Sequence, residues 1–480
     1  MNAVERDPTD HATPHQVVIV GGGAGGLELA TRLGDTLAKR GRIAVTLIDR
    51  NRAHVWKPKL HEIAAGSMDF GDHEVGYLAH AHRHGFRFRI GEMTGIDRIT
   101  REVHVAPFTD RKGGELTPAR SFPYDTLVIA VGSQSNDFGT PGVREHALKL
   151  ETAADARRFH TRMVHACVRA QAQQTQLRPE QLKVAIIGAG ATGVELSAEL
   201  HHTMRQVVAY GLDRVDAKRD IKVVLIEAGP RVLPALPERL SRSTERLLRK
   251  LGVEVHTGAK VAEVLADGVR LADGSVLPAE LTVWAAGVKA AEFLTRLDGL
   301  ETNRLNQLLV RQTLQTTLDA DIFAIGDCAA CPWPEKNGFV PPRAQVAHQQ
   351  ASHLFKQIRR RLDGKPLQDY HYRDLGSLVS LGKFSTVGNM MGGLVRGDLF
   401  IAGWYAKPMY TSLYKMHELA LHGWAKVILD HLRAHADAAH GTAGEAALRG
   451  IRTRRSIHLA LGAETPFCPR SFPSVAELPY

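Results

Sequence analysis

The chain has 480 residues, 44% of them hydrophobic, and its 61 lysines and arginines outnumber 51 acidic residues for a formal net charge of +10. That length exceeds the size at which one hydrophobic core keeps growing, so two or three folded domains are expected rather than one domain or a disordered chain. The charge favours anionic partners without choosing among them, while four scattered cysteines, Cys167, Cys328, Cys331 and Cys468, exclude a disulfide framework and point to a reducing compartment.

In chain order, residues 1–14 are polar and acidic, lack the basic flank and apolar centre of a signal peptide, and read as a loose tail. QVVIV at 16–20 is a β-branched run bounded by glycine, as a strand covered on both faces requires. Gly21, Gly23 and Gly26, with Gly25 between, then form G-x-G-x-x-G, and LELATRLGDTLAK continues as a helix. The first glycine permits a tight turn, the second lets backbone approach a pyrophosphate, and the third lets helix pack on strand. The helix N-terminus offers free N–H groups and a positive dipole end. The next strand, AVTLID, ends at Asp49, where an acid can accept hydrogen bonds from a ribose diol.

RAQAQQTQLRPEQ at 169–181 reads as a helix end and linker, after which every part of the module recurs. KVAIIG is the strand, Gly188, Gly190 and Gly193 the turn, VELSAELHHTMRQ the helix, and IKVVLIE ends at Glu227. DRVDAKRD at 213–220 reads as a surface insertion. A carboxylate at 227 repels a 2′-phosphate and binds a 2′-hydroxyl, which favours NADH over NADPH, although Arg231 lies close enough in sequence to soften the preference. Two dinucleotide turns in one chain imply that one dinucleotide reduces the other. Flavin is the natural acceptor because it takes a hydride and passes electrons onward. The first turn is therefore assigned non-covalent FAD, and the second NADH as co-substrate.

YDTLVIAVGSQSNDFGTPGV (124–143), LTVWAAGV (281–288), DIFAIGDCAACPWP (321–334) and PPRAQVAHQQASHL (341–354) resemble bacterial type II NADH dehydrogenases, the single-chain NADH:quinone oxidoreductases. HVWKPKLHEIAAGSMD (54–69), GSLVSLGKFSTVG (376–388) and SLYKMHELALHGW (412–424) match the same family, so the resemblance covers roughly residues 15–435. It implies that Asp327, at the end of a buried strand, contacts the flavin ribitol, that the backbone of Met93 approaches the adenine, and that Ala347 and His348 present backbone to the flavin. Gly132 and Gly287 end hydrophobic strands in AVG and AAG, small residues that allow close backbone approach where the chain crosses between domains. Glu195, read as lying on the first turn of the second helix, matches an acid facing the nicotinamide–flavin contact. Its counterpart Glu28 reads as a dipole-stabilising residue. Pro341 and Pro342 precede a helix starting near Arg343 on which Gln345 and Gln349 share a face, and Gln345 matches a residue beside the flavin at a quinone pocket. Glu195 and Gln345 are thus the catalytic candidates.

Cys328 and Cys331 form C-x-x-C, by pattern a redox dithiol or half of a metal site. No second pair completes a zinc site, and no metal is expected. Disulfide reductases of the resembled superfamily carry their redox pair near the start of the FAD domain or inside the nucleotide domain, and neither WKPKLHEIAAG nor 183–300 has a cysteine, so the resemblance implies a non-catalytic pair, with a metal-reducing side role left open. Farther on, Tyr410, Leu413, Tyr414, His417, Ala420, Leu421, Trp424, Val427 and Ile428 recur at helical spacing, with Lys415, Glu418, His422 and Lys426 elsewhere around the helix. By pattern alone this is a core-facing surface helix; a quinone acceptor and the family resemblance favour an interfacial one. RGIRTRRS suits lipid headgroups or solvent, and the end of the chain reads as a loose tail. No window of about eighteen uninterrupted apolar residues is present, so membrane contact is expected to be peripheral or monotopic.

The reading is an α/β chain of two Rossmann-like dinucleotide-binding domains followed by a C-terminal membrane-associating helical region. The expected division is a tail (1–14), the first part of the FAD domain (15–150), the NADH domain (151–302), the second part of the FAD domain (303–388) and the C-terminal region (389–480). A respiratory, non-pumping NADH:quinone oxidoreductase is expected, a homodimer on the cytoplasmic face of the cell (inner) membrane, touching anionic lipid through its C-terminal helix. A soluble reductase feeding a protein acceptor and a redox-sensing nucleotide-binding protein are the alternatives. Nucleic-acid binding is not expected, since the basic residues are dispersed and no reading module is present.

Overall fold

The computed structural model describes residues 14–68, 74–110, 112–209, 214–381, 386–390 and 399–403, with Glu418, Leu419 and Leu421. Two five-stranded parallel sheets carry the architecture. The first has the spatial order Ile322–Ala324, Thr126–Ile129, His15–Val20, Ile43–Asp49, Arg87–Ile90. The second has the order Ala147–Lys149, Leu281–Trp284, Lys183–Ile187, Lys222–Ile226, Glu254–His256. In each, the strand leading into a glycine turn lies at the centre.

The apolar runs sit where parallel strands need them, because helices cover both faces of such sheets. Val17, Val18, Ile19 and Val20 are all buried. In the second sheet, Val184 and Ile186 join one core and Ala185 and Ile187 another, as alternation across a pleat requires. The duplication extends to an antiparallel three-stranded insertion in each module, Met93–Asp97 with Glu102–Val105 and Arg120–Pro123, and Val261–Leu265 with Gly268–Leu271 and Val276–Pro278. A two-stranded ribbon, Ser133–Ser135 against Val288–Ala290, joins the modules.

Two strands bear on where the proposed boundaries are drawn. Ala147–Lys149 belongs to the second sheet, paired with Leu281–Trp284, so the first module gives way before residue 147 and not at 150. The second sheet claims this short strand through backbone pairing that local sequence does not display. A boundary between 388 and 389 passes through the strand Thr386–Met390, the middle of a meander with Ser377–Ser380 and Leu399–Gly403.

The helix Ala24–Leu33 passes into a π-helical turn, Gly34–Ala38, where a Cβ on Gly34 would stand 2.2 Å from the His84 carbonyl oxygen. The helix Ala153–Ala172 opens on a capping box in which Thr152 and Asp155 satisfy each other's backbone N–H. The helix Ala344–Leu362 packs on Ala24–Leu33 in the first module. Of the C-terminal stripe, only Leu421 is described, and it is buried in the first-module core. The rest of that stripe and residues 422–480 lie outside the described residues. Among the described residues no helix is long and apolar enough to cross a membrane.

Candidate active site

The two glycine turns have the same geometry. Gly21 and Gly188 both have φ +103°, a conformation that disfavours side chains. A Cβ on Gly21 would lie 2.3 Å from the Ala130 carbonyl oxygen, and one on Gly188 would lie 2.7 Å from Ala286 Cα. At Gly26 and Gly193 a Cβ would fall 1.9 Å from the carbonyl oxygen of Gly21 and Gly188, so helix and strand meet only because these residues have none. Cβ atoms on Gly23 and Gly190 would meet nothing within 4 Å, and each turn is open on that side beside a helix N-terminus. An open cradle of backbone beside a helix N-terminus fits a dinucleotide pyrophosphate. Gly25 plays a different part, because its Cβ would stand 3.1 Å from the Ala347 carbonyl oxygen; lacking one, it lets the 344–362 helix approach.

Each strand-ending acid is tied to its own turn. Asp49 accepts from the N–H of Gly22 at 2.6 Å and from the backbone and side chain of Asn51 at 2.7 and 3.0 Å. Glu227 accepts from the N–H of Ala189 at 2.8 Å and of Gly229 at 2.7 Å. Burial raises the Asp49 carboxyl above its ordinary range. A carboxylate has about four lone-pair directions, so both acids can hold the turn and still accept from a ribose.

The remaining flavin candidates gather at one end of the first sheet. Asp327, in the short turn Gly326–Cys328, accepts from Ser133 Oγ at 2.7 Å, and its backbone carbonyl accepts from Gln307 at 2.9 Å. Beside it, the Gly326 N–H donates to buried Gln350 at 2.7 Å, and Lys57 reaches the Ser133 carbonyl at 2.8 Å. Gly132 and Gly326 have φ +71° and +73°, with open space or only the Ala347 methyl near their Cβ directions. Met93 is buried at the start of its strand, next to a register shift before Gly95. Gly287, at φ +65°, is covered by the Phe138 ring, 2.4 Å from where its Cβ would be.

His348 pairs through Nδ1 with Glu28, and Glu28 also receives Arg32 and Ser352 at 3.2 Å. Glu28 is buried, so it ties two helices together and is more than a dipole-stabilising residue. Glu195 likewise lies beyond the first turn, as the fifth residue of Ala191–Ala209. It is buried, accepts from the N–H of Ser380 at 3.0 Å, and faces His61 Nδ1 at 3.6 Å. Burial lowers the His61 pKa to about 4, so the imidazole is neutral near pH 7.

Gln345 and Gln349 share a face, and both grip the segment 373–376. Gln345 donates to the Gly376 carbonyl at 2.9 Å and accepts from the Leu375 N–H at 3.1 Å, while Gln349 makes the same pair of bonds with Arg373, at 2.8 and 3.0 Å. Arg343 adds an ion pair to Asp374 at 3.1 Å. This segment runs directly into Ser377–Ser380, whose last N–H meets Glu195, so one stretch of chain connects the two catalytic candidates. Cys328 and Cys331 are free and buried, and burial pushes their thiols up to about 11 and about 12. Thiolate, the reactive form, is scarce at both near pH 7.

The sequence pattern did not single out His54, Tyr77, His61, Ser133 or Ser380. His54 and Tyr77 converge on the Gly22 carbonyl, at 3.0 and 2.7 Å, from positions 32 and 55 residues away. WKPKLHE is a mixed polar stretch whose pattern marks neither His61 nor its partner.

Residues 15–351 match the family described as pyridine nucleotide-disulphide oxidoreductase. A type II NADH:quinone oxidoreductase from Haemophilus influenzae is 43% identical over 424 residues, covering 86% of this chain and 95% of the relative. One from Staphylococcus saprophyticus is 29% identical, covering 80% of this chain and 91% of its own. Among solved structures, NDH2 from Plasmodium falciparum in complex with NADH shares the fold with a TM-score of 0.72 at 18% identity, covering 85% of this chain and 96% of that one. With the duplicated turn and its acid in both sheets, these matches show that the chain belongs to the pyridine nucleotide-disulphide oxidoreductase family and, within it, to the type II NADH:quinone oxidoreductases.

Proposed function

We infer that this chain oxidises NADH through a bound flavin and delivers two electrons to a quinone, without pumping protons. The observation that carries the reading is the pair of glycine turns, each with its own acid, in a chain 43% identical to a type II NADH:quinone oxidoreductase. When bound, the flavin supplies the redox chemistry, and the protein's share is orientation and exclusion of competing reactions.

The first turn is assigned FAD, with Gly21, Gly23, Gly26, Asp49, Gly132 and Asp327 as its holding residues, Met93 at the adenine, and Gly25, Ala347 and His348 where two helices close on the flavin. The second is assigned NADH, with Gly188, Gly190, Gly193, Glu227 and Gly287. Glu195 is assigned to nucleotide binding and proton handling beside the reacting rings, where neutral His61 faces it at 3.6 Å. Gln345 is assigned to the quinone pocket, with its carboxamide holding the 375–376 backbone. A lipid-soluble acceptor calls for a peripheral or monotopic position on the inner membrane, on the cytoplasmic face where NADH is available, with the C-terminal region against anionic lipid and the protein as a homodimer. The domain division proposed is a flavin domain interrupted by the NADH domain, with the first crossing moved to before residue 147.

The test is to purify the full chain in detergent, record its flavin spectrum, and follow NADH oxidation with menaquinone and ubiquinone analogues. A yellow protein that reduces either analogue with NADH supports the reading. A colourless protein that flavin does not reconstitute, or a flavoprotein that reduces no quinone, overturns it. Identity to a named quinone reductase disfavours a soluble reductase with a protein acceptor and a sensor without turnover.

A further inference from the structure

The peptide that follows Gly22 is held more firmly than its counterpart in the second turn. The Gly22 carbonyl accepts from Tyr77 Oη at 2.7 Å and from His54 Nδ1 at 3.0 Å, and both side chains are buried, at 2% and 5% exposure. The Gly22 N–H donates to Asp49 at 2.6 Å. The Tyr77 hydroxyl also fills the place of a Cβ, 2.4 Å from where one would stand. No cis peptide occurs among the described residues, and across a trans peptide the carbonyl and the following N–H point in opposite directions. Drawing the Gly22 carbonyl toward His54 and Tyr77 therefore turns the Gly23 N–H the other way, while the Cβ direction of Gly23 is free of neighbours.

Among the described residues, the second turn has no such pair of side chains on its carbonyl. Ala189 occupies the place of Gly22 and donates to Glu227, but its carbonyl accepts from the backbone N–H of Leu233 at 2.8 Å. Leu233 lies in the connection after Glu227 and has φ +47°. One turn is thus gripped by two buried side chains from separate elements, the strand Ala53–His54 and the helix Tyr77–His84, and the other by one backbone amide of a connecting loop.

We propose that His54 and Tyr77 are positioning residues that make the first turn a retaining site for the flavin pyrophosphate, whereas the second turn, without such a pair, is built for exchange. The proposal rests on the assignment of the flavin to the first turn. The two side chains act on the phosphate through the Gly22–Gly23 peptide: with either donor gone, the carbonyl is less firmly fixed and the Gly23 N–H loses part of its preorganisation.

The test uses the full-length flavin-loaded protein with Tyr77→Phe, His54→Leu and His54→Asn. Flavin release is followed by recovery of flavin fluorescence on dilution, and thermal unfolding of each flavin-free variant is measured alongside. Tyr77→Phe keeps the ring stacked on Phe88, 4.9 Å away, and removes one donor, so release should quicken about tenfold. His54→Leu should do the same, and His54→Asn, whose amide nitrogen takes the place of Nδ1, should restore slow release. Release at the unaltered rate in both Tyr77→Phe and His54→Leu would overturn the proposal. So would faster release from His54→Asn equal to that from His54→Leu, which would mark His54 as a packing residue only. A protein that carries no flavin before any substitution would overturn the assignment itself, and the proposal with it.

Discussion

An alanine at Gly26 or Gly193 would place its Cβ 1.9 Å from the carbonyl oxygen of Gly21 or Gly188, closer than any folded backbone tolerates. The helix must shift away from its turn in either variant, but each shift spoils a different site. Gly26→Ala is expected to yield protein with at least tenfold lower flavin occupancy, read from the flavin absorption band after gel filtration. Gly193→Ala should keep its colour and raise the KM for NADH about tenfold or more, since a displacement of this size costs at least ~1.4 kcal/mol of binding. Equal flavin loss in both would remove the assignment of one cofactor to each turn. At the same scale, the acids at 49 and 227 are bound to their turns by N–H groups only two to 38 residues away in sequence. Those contacts are local enough for pattern reading to find the residues, though it assigned them to the sugar alone.

At the scale of elements, the helix Ala344–Leu362 is the junction of the molecule. It approaches the Ala24–Leu33 helix at Gly25, pairs His348 with Glu28, satisfies Gly326 through Gln350, and holds 373–376 through Gln345 and Gln349. The two glutamines each make the paired donor and acceptor bonds that a neighbouring strand would make, so the segment is held like an added strand without being in a sheet. Gln345→Ala removes one of these pairs and leaves the flavin candidates untouched. It should raise the KM for quinone analogues about tenfold with flavin content unchanged, and it should speed amide hydrogen exchange at Leu375. Unchanged quinone kinetics together with faster exchange at Leu375 would leave Gln345 a structural clip outside the pocket. The helical spacing of 345 and 349 was readable from the sequence, but the partner segment was not, because nothing in 373–376 marks it as unpaired backbone.

At the scale of the whole molecule, stability should depend on pH through buried histidines. His54 and His61 are held at about 4 by burial, against an ordinary value of 6.5, so the folded state keeps them neutral while the unfolded chain protonates them first. A depressed histidine contributes stability that is fully present above pH 6.5 and is lost as pH falls toward 4. Each costs roughly 3 to 4 kcal/mol over that window, from a shift of about 2.5 at ~1.4 kcal/mol per unit. Asp49, raised by burial, works in the opposite sense and offsets part of the loss near the bottom of the window. Urea unfolding between pH 8 and pH 4.5 should show stability falling steadily below 6.5, and His61→Gln should flatten the slope. A flat profile in the unaltered protein would mean that these imidazoles are solvated.

The chain by itself determined both strand–turn–helix–acid modules, the adoption of a parallel α/β fold, and the start of the helix at 344. Each depends on neighbours within a few dozen residues, on β-branched runs, glycines that no other residue can replace, and prolines at a helix entrance. Only the tertiary structure decided which distant groups complete those modules. Ser133 meets Asp327 across 194 residues, Ser380 meets Glu195 across 185, and His348 meets Glu28 across 320. The same holds for the strand Ala147–Lys149, which the second sheet takes from the first module. Such partners are chosen when buried polar groups must find donors and acceptors inside a packed core, a requirement set by the assembled fold that leaves no periodicity in the sequence.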